Sequence, residues 1–361
     1  MRCTICHRRI PPGRACPSHE HISAPESDPL RGQAMPTIAG YTVHRALGRG
    51  GFATVYLASA APDAVASEPI VGELAIKVAE QRDDPRMPRE AVALRRIGAP
   101  SAPRFITDGH TDDGRPFLAM EFIPGDSLAV RLAERRYNID SGAGYPAVID
   151  AIANLCRAVS SMHRAGVIHR DLKPENIFFR ADDSAALIDF GLARLREEAD
   201  DDDQASDPTM QLTRTDERVG TYHYMAPEQW LGNTGFDERT DIYALGVIAF
   251  EMLTGRPPFV GRAALVRHGH VTAQCPRASD FGPVPRTVDD ILARCMAKDK
   301  ARRYASADEL AAALRHTVAD IVAGARPTRP RRRKSRATRR PVALLSLHSS
   351  AGAARLKTFA E

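Results

Sequence analysis

The sequence lacks the features that mark membrane-spanning, repetitive and secreted proteins. No apolar run is long enough for a transmembrane helix, and no segment recurs at the period of a solenoid repeat. The N-terminus is basic and carries cysteines, and it does not have the pattern of a secretory signal. Hydrophobic residues make up 43% of the chain, which is enough to build a core. These observations predict a soluble cytoplasmic protein.

Cysteine is scarce and unevenly placed, since three of the six cysteines lie within the first sixteen residues. Two close-set pairs of soft ligands, separated by nine residues, suit a tetrahedral zinc ion, and residues 1–22 resemble a small zinc ribbon. The four candidate ligands are Cys3, Cys6, Cys16 and His19. His7 and His21 are alternative ligands, and a redox-sensitive tail is the alternative interpretation. Cys156 and Cys295 lie on apolar helical patterns, which predicts core positions.

Two segments have no hydrophobic periodicity. Residues 23–38 are rich in proline, serine, glycine and charge, which predicts a linker. Residues 326–340 contain nine basic side chains, whereas the whole chain has a net charge of only +5. We therefore predict a basic, disordered tail over residues 323–361. Such a block can bind a polyanion, either nucleic acid, an acidic protein or an anionic lipid surface, and a solvated tail without a partner is the alternative.

One short stretch carries a candidate proton acceptor and two candidate magnesium ligands. Residues 169–176 have the sequence His-Arg-Asp-Leu-Lys-Pro-Glu-Asn, and Asp-Phe-Gly follows at 189–191. Phosphoryl transfer needs neutralised charge on the phosphate oxygens and a carboxylate beside the attacking hydroxyl. Asp171 is the candidate for this carboxylate, and Asn176 and Asp189 are the candidate metal ligands. The two segments resemble the catalytic and metal-binding loops of the protein kinase family.

A glycine-rich segment and a lysine extend this resemblance. Residues 48–55, Gly-Arg-Gly-Gly-Phe-Ala-Thr-Val, lie between two strand-like runs and predict a hairpin whose backbone N–H groups approach phosphate. Ala53 stands where the family has a third glycine. The resemblance implies that Lys77 contacts the nucleotide phosphates and pairs with Glu90 on the next helix. A solvated position at a strand edge is the alternative for Lys77.

The resemblance also implies an adenine pocket. Residues 116–123 form an apolar, strand-like run that leads into a connector between two lobes, where backbone groups would meet adenine. Met120 would guard the back of the pocket, although a methionine in an apolar strand also suits plain core. Asp126 would take a ribose hydroxyl, with a turn and helix cap as the alternative. The implied nucleotide-binding residues are Leu47, Gly48, Gly50, Gly51, Val55, Ala75, Lys77, Met120, Glu121, Ile123 and Asp126.

Residues 220–228, Gly-Thr-Tyr-His-Tyr-Met-Ala-Pro-Glu, resemble the segment that closes a kinase activation loop and binds the acceptor. Lys173, two residues after Asp171, is the residue that serine/threonine kinases of this family carry there. Thr221 would hydrogen-bond both of these side chains. The segment and the lysine together favour serine and threonine acceptors over tyrosine.

Two buried anions are expected in the second half of the chain. A buried Glu228 requires a cationic partner. By resemblance to the family that partner is Arg303, and the adjacent Arg302 is the alternative partner if the register differs by one residue. Asp241 starts an apolar helix over residues 240–253. By resemblance it would accept backbone N–H groups from the catalytic loop; a simple helix-start carboxylate is the alternative.

The kinase-like segments cover residues 39–321 and imply an α+β, bilobal protein kinase fold. We expect a small β-rich lobe with one helix over residues 39–122 and a larger, mainly helical lobe over residues 123–322. The residue pattern agrees, because period-two segments dominate before Gly125 and helical periodicity dominates after it.

The function predicted in this way is a bacterial, eukaryotic-like serine/threonine protein kinase that uses ATP with magnesium or manganese. Protein hydroxyls would be the acceptors, and autophosphorylation would proceed in a transient homodimer. The leading sites of modification are Thr213 and Thr215, followed by Thr209. Many bacterial kinases of this type carry a membrane helix after the catalytic domain, and this sequence departs from that arrangement. A catalytically silent scaffold that recruits partners through the zinc module and the tail is the alternative hypothesis.

Overall fold

The computed structural model describes residues 35–61, 72–137, 144–196, 221–232 and 235–322, with only the backbone for residues 221 and 319–322. All of these residues lie within one compact unit, Met1–Thr328, and the other unit, Arg329–Glu361, lies outside the described residues. The candidate zinc ligands, the three activation-loop threonines and the basic block 326–340 also lie outside the described residues.

A five-stranded antiparallel sheet forms the N-terminal lobe, in the order β1-β2-β3-β5-β4. The strands are β1 (Tyr41–Arg49), β2 (Ala53–Ala60), β3 (Glu73–Ala79), β4 (Phe105–His110) and β5 (Pro116–Glu121). Along β3, Ile76 and Val78 pack into a cluster on one face, whereas Ala75 and Ala79 belong to the main core on the other. Because strand side chains alternate, Lys77 shares the face of Ala75. That face borders the cleft between the lobes.

Helix α1 (Arg86–Ile97) packs against β4 and β5. It buries Met87, Glu90 and Leu94 on one side, and it ends at Gly98, whose φ of 65° is accessible to glycine without strain. The helix expected to carry Glu90 therefore begins at Arg86, about one turn before that residue.

The C-terminal lobe is mainly helical. Its helices are α2 (Leu128–Ala133), α3 (Gly144–Arg164), α4 (Pro227–Leu231), α5 (Glu238–Thr254), α6 (Ala263–Val271), α7 (Arg286–Cys295) and α8 (Ala307–Val322). Two short antiparallel pairs lie between α3 and α4: β6 (Val167–Ile168) with β9 (Arg194–Leu195), and β7 (Ile177–Phe179) with β8 (Ala185–Leu187). The loops beside these pairs carry the polar side chains of the site.

Helix α5 runs through the centre of this lobe. Every residue from Thr240 to Thr254 is buried, as its apolar pattern predicts. Gly246 lets α7 approach closely, since a Cβ there would lie 2.5 Å from the Cβ of Cys295. Cys156 and Cys295 are both fully buried, which confirms their predicted core positions.

The described residues thus form a bilobal α+β fold, and the predicted fold class is confirmed. Among these residues, none of the helices combines the length and the apolar character that crossing a membrane requires.

Candidate active site

An ion-pair cluster at the centre of the cleft joins three elements. Lys77 on β3 donates to Glu90 Oε2 on α1 at 2.6 Å and to Asp189 Oδ1, which follows β8, at 2.7 Å. Glu90 is 1% exposed and Asp189 is 43% exposed, so only Asp189 can also present its carboxylate to a bound group. The predicted pair of Lys77 and Glu90 is therefore present, and the strand-edge alternative for Lys77 is wrong.

The charges in this cluster shift one another's pKa values. The Lys77 ammonium holds the pKa of the Asp189 carboxyl well below its ordinary value. Burial alone would lower the pKa of Lys77, but the two neighbouring carboxylates outweigh it and raise that pKa. Burial raises the pKa of Glu90, against the attraction of Lys77. At neutral pH the cleft therefore presents one cation beside one exposed carboxylate.

The loop after β6 brings Asp171, Lys173 and Asn176 together. Lys173 Nζ donates to Asp171 Oδ2 at 2.5 Å, and Asn176 Nδ2 donates to the backbone carbonyl of Asp171 at 3.0 Å. Because that bond fixes the amide nitrogen, the amide oxygen of Asn176 is the atom left for a metal. Asn176 and Asp189 both line the cleft and supply oxygen atoms, which are the ligands that magnesium prefers.

Asp241 at the start of α5 fixes the backbone of this loop. Its carboxylate accepts the N–H of His169 at 2.9 Å and the N–H of Arg170 at 3.0 Å, and it pairs with His163 Nε2 at 2.8 Å. Burial alone would raise the pKa of Asp241, but these partners hold it below its ordinary value. Gln229 Nε2 also donates to the carbonyl of Arg170 at 2.7 Å. The catalytic-loop contact predicted for Asp241 is present.

A buried ion pair anchors helix α4 beside the site. Arg303 donates from Nη1 to Glu228 Oε1 at 2.7 Å and from Nη2 to Glu228 Oε2 at 2.8 Å, in a bidentate arrangement. Arg302 is exposed at the end of a 3₁₀ turn. The alternative register through Arg302 is therefore wrong.

The cleft between the lobes has a volume of about 640 Å³. Ten of the eleven implied nucleotide-binding residues line it, and Gly51 in the turn of the hairpin does not. Ser127 accepts the N–H of Val130 at 3.4 Å and caps α2, as the alternative interpretation of that turn proposed. The neighbouring Asp126 lines the cleft but pairs with Arg136 at 2.6 Å.

The carboxylate of Glu121 is held by Arg180. It accepts from Arg180 Nη1 at 2.5 Å and Nη2 at 3.0 Å, and Arg180 Nε also reaches the carbonyl of Pro100 at 3.1 Å. With its carboxylate engaged in this way, Glu121 leaves its backbone groups for the adenine contact predicted for the connector. Arg180 thereby ties the connector to the C-terminal lobe.

Several lining residues were missed from the sequence: Phe52, Arg86, Phe178, Ile188 and Leu192. Phe178 could have been predicted from the sequence. In the apolar strand Ile-Phe-Phe, its side chain must point to the face opposite that of its two buried neighbours. For Arg86, the sequence offers no comparable pattern. The side chain of Thr221 and the candidate zinc ligands lie outside the described residues.

Sequence comparisons agree with this geometry. The protein kinase domain family matches residues 41–317. Serine/threonine-protein kinase PknE of Mycobacterium bovis is 34% identical over 276 residues, covering 76% of this chain and 45% of the relative. Serine/threonine-protein kinase Pkn1 of Myxococcus xanthus is 32% identical, covering 91% of this chain and 47% of the relative. Serine/threonine-protein kinase PknD of Mycobacterium tuberculosis is 38% identical, covering 76% of this chain and 39% of the relative.

This chain thus spans less than half the length of each of these relatives. The family match nevertheless covers the whole of the sheet and most of the helical lobe, including every polar residue of the cleft described above. The chain belongs to the protein kinase domain family.

Proposed function

We propose that the protein is a serine/threonine protein kinase that transfers the γ-phosphate of ATP to hydroxyls of protein substrates. The observation that carries this proposal is the formed bridge from Lys77 to both Glu90 and Asp189, in the cleft that Asp171 also lines. A silent scaffold would not need all of these groups in one cleft. The names of the related kinases support the same assignment.

In this proposal the cleft binds and orients the nucleotide. The backbone of the glycine hairpin and the ammonium of Lys77 contact the phosphates, and Glu90 holds Lys77 in place. Asn176 and Asp189 would hold magnesium, or manganese, which supplies charge neutralisation at the phosphate oxygens. Met120 and Ile123 lie beside the base, and the backbone of residues 121–123 bonds its edge.

Asp171 is the proposed proton acceptor. The acceptor hydroxyl oxygen bonds to the γ-phosphorus, the bond from that phosphorus to the bridging oxygen breaks, and ADP leaves with the electron pair. Asp171 takes the hydroxyl proton. Lys173, which donates to Asp171 Oδ2 at 2.5 Å, would orient this carboxylate and contact the transferring phosphate.

The acceptor class follows from two features. Lys173 is typical of serine and threonine specificity in this family, and residues 220–228 have the matching acceptor segment. Thr221 is proposed to hydrogen-bond Asp171 and Lys173. Mass spectrometry of the purified protein after incubation with magnesium ATP and a basic test protein checks the assignment. Phosphoserine or phosphothreonine is expected, and the absence of phosphate on both proteins would contradict it.

We also propose regulation by autophosphorylation between Asp189 and Glu228, in a transient homodimer. A phosphate on Thr213 or Thr215 would be drawn to Arg170, the cation next to Asp171, and would order the loop. The double variant Thr213→Ala with Thr215→Ala should lose most activity toward an added substrate. Full activity without phosphate on the loop would contradict this mechanism.

The N-terminal segment is proposed to bind one zinc ion through Cys3, Cys6, Cys16 and His19. Because a linker separates it from residue 39 onwards, the kinase domain should stay folded when the metal is removed. Elemental analysis of protein purified under reducing conditions tests the first point. Circular dichroism after chelation tests the second.

The basic block 326–340 is proposed to bind a polyanion, and a cytoplasmic location is proposed for the whole protein. Binding to DNA should weaken steeply with salt, because each neutralised phosphate releases counterions. Truncation before Arg326 should abolish that binding. Equal DNA binding by the truncated protein at low salt would exclude the tail, and cell fractionation tests the location.

A further inference from the structure

An aromatic side chain at the tip of the glycine hairpin contacts helix α1. Phe52 stands between β1 and β2 and is 37% exposed. The guanidinium carbon of Arg86 lies 3.3 Å from the centroid of its ring, which is a stacked cation–π contact. Arg86 is the first residue of α1. The contact therefore connects the roof of the cleft to the helix that carries Glu90.

The guanidinium of Arg86 is fixed independently of the ring. Its Nε donates to Asp84 Oδ1 at 2.7 Å and its Nη2 donates to Asp84 Oδ2 at 2.9 Å. The backbone N–H of Arg86 reaches the same carboxylate at 3.0 Å, and Asp84 is 6% exposed. A cation held in this way loses little side-chain entropy when the ring stacks on it. Phe52 thus meets a rigid partner.

The aliphatic part of the Arg86 side chain also lies beside residues 189–191, which carry the candidate metal ligand Asp189 and are called the metal loop below. A Cβ built on Gly191 would lie 3.5 Å from Arg86 Cβ and 3.8 Å from Arg86 Cδ. Gly191 is two residues after Asp189. Since Glu90 is four residues after Arg86, the two side chains lie on the same side of α1, one turn apart. One arginine therefore contacts the hairpin and the metal loop from the turn that precedes Glu90.

We propose that Phe52, Arg86 and Asp84 form a clasp that holds the glycine hairpin closed over the nucleotide and couples its closure to the position of α1. Phe52 and Arg86 are positioning residues, since they act through the hairpin and through Glu90 rather than on the reacting atoms. This inference rests on the proposed kinase function for its kinetic consequences, whereas the contact between Phe52 and Arg86 can be tested without any measurement of phosphate transfer.

The test compares the variants Phe52→Leu and Arg86→Gln with the wild type. Leucine keeps the apolar bulk but removes the aromatic face, and glutamine removes the charge. Each variant should raise KM for ATP about three- to tenfold, the range that a partly exposed cation–π contact provides. KM for a peptide substrate should stay unchanged. Phe52→Tyr keeps an aromatic face, so it should raise KM for ATP less than Phe52→Leu does.

Arg95 provides a matched control on the same helix. It also pairs with a carboxylate, Asp108, at 2.5 Å and lies 4.1 Å from an aromatic ring, that of Phe105, but it does not line the cleft. Arg95→Gln should leave KM for ATP unchanged. An equal effect of Arg95→Gln and Arg86→Gln would attribute the result to general loss of stability and overturn the clasp.

The double variant and hydrogen exchange separate this inference from the kinase assignment. The effects of Phe52→Leu and Arg86→Gln on KM for ATP should be non-additive in the double variant, because each substitution breaks the same contact. Additive effects would overturn the proposal. In the protein without nucleotide, amide exchange over residues 48–54 should speed up in both single variants and not in Arg95→Gln. Unchanged exchange there overturns the clasp. A wild type that transfers no phosphate but shows this exchange pattern contradicts only the kinase proposal.

Discussion

Replacing Arg303 with methionine should destabilise the C-terminal lobe by about 3–5 kcal/mol, because it leaves a buried carboxylate without its cation. The Arg303 side chain is completely buried. All five of its N–H donors are used, two by Glu228 and three by the carbonyls of Ala297, Arg239 and Lys298. After the substitution Glu228 keeps only the hydroxyl of Thr240, at 3.0 Å, among the partners described.

The same loss can be expressed as a melting temperature. With ~2–4 °C per kcal/mol for a domain of this size, the melting temperature should fall by roughly 6–20 °C. Urea denaturation followed by circular dichroism measures the free energy of unfolding, and the slope with urea should stay constant if only stability changes.

Arg302→Met is the matched control, because Arg302 is the exposed neighbour in the same turn. It should change the free energy of unfolding by less than about 0.5 kcal/mol. The double variant Glu228→Gln with Arg303→Met should lose less than the sum of the single variants, since it removes both charges. Equal, small losses for Arg303→Met and Arg302→Met would refute the assignment of a buried ion pair.

Two further predictions concern stability. Arg180→Met should lower the free energy of unfolding by about 1–2 kcal/mol. The substitution breaks a partly buried ion pair with Glu121 and two hydrogen bonds to backbone carbonyls. An unchanged urea midpoint would contradict this prediction. Burial lowers the pKa of His270 from 6.5 to about 3, so the unfolded chain binds a proton between those values that the folded chain does not. Stability should therefore fall as pH drops through that window, by up to about 1.4 kcal/mol per pH unit from this residue. His270→Gln should remove that contribution, and an identical pH slope in the variant would count against it.

The polar centre of the site could be predicted because its residues lie in short segments that resemble the motifs of the protein kinase family. Asp171, Lys173 and Asn176 lie within six residues, and Lys77 and Glu90 are separated by one strand-to-helix connection. Their spacing limits how far apart the fold can place them. The alternation of side chains along a strand also requires Lys77 to lie on the same face of β3 as Ala75.

Contacts between distant segments could not be predicted in this way. Arg180 is 59 residues from Glu121, and several other arginines could satisfy the same carboxylate on charge alone. The choice of Arg303 over Arg302 depends on the orientation of a 3₁₀ turn, which two adjacent arginines do not reveal. The stacking of Arg86 on Phe52 likewise depends on how the hairpin bends over α1.

The rate of a single turnover in Asp171→Asn, measured together with its affinity for ATP, tests the central claim most directly. The account predicts that phosphotransfer slows by ~10²- to 10⁴-fold while ATP affinity stays as in the wild type, because only the proton acceptor is lost. Asp308→Asn, which changes an exposed carboxylate on α8, should leave both quantities unchanged. A near-normal rate in Asp171→Asn would contradict the assignment of Asp171 as the proton acceptor.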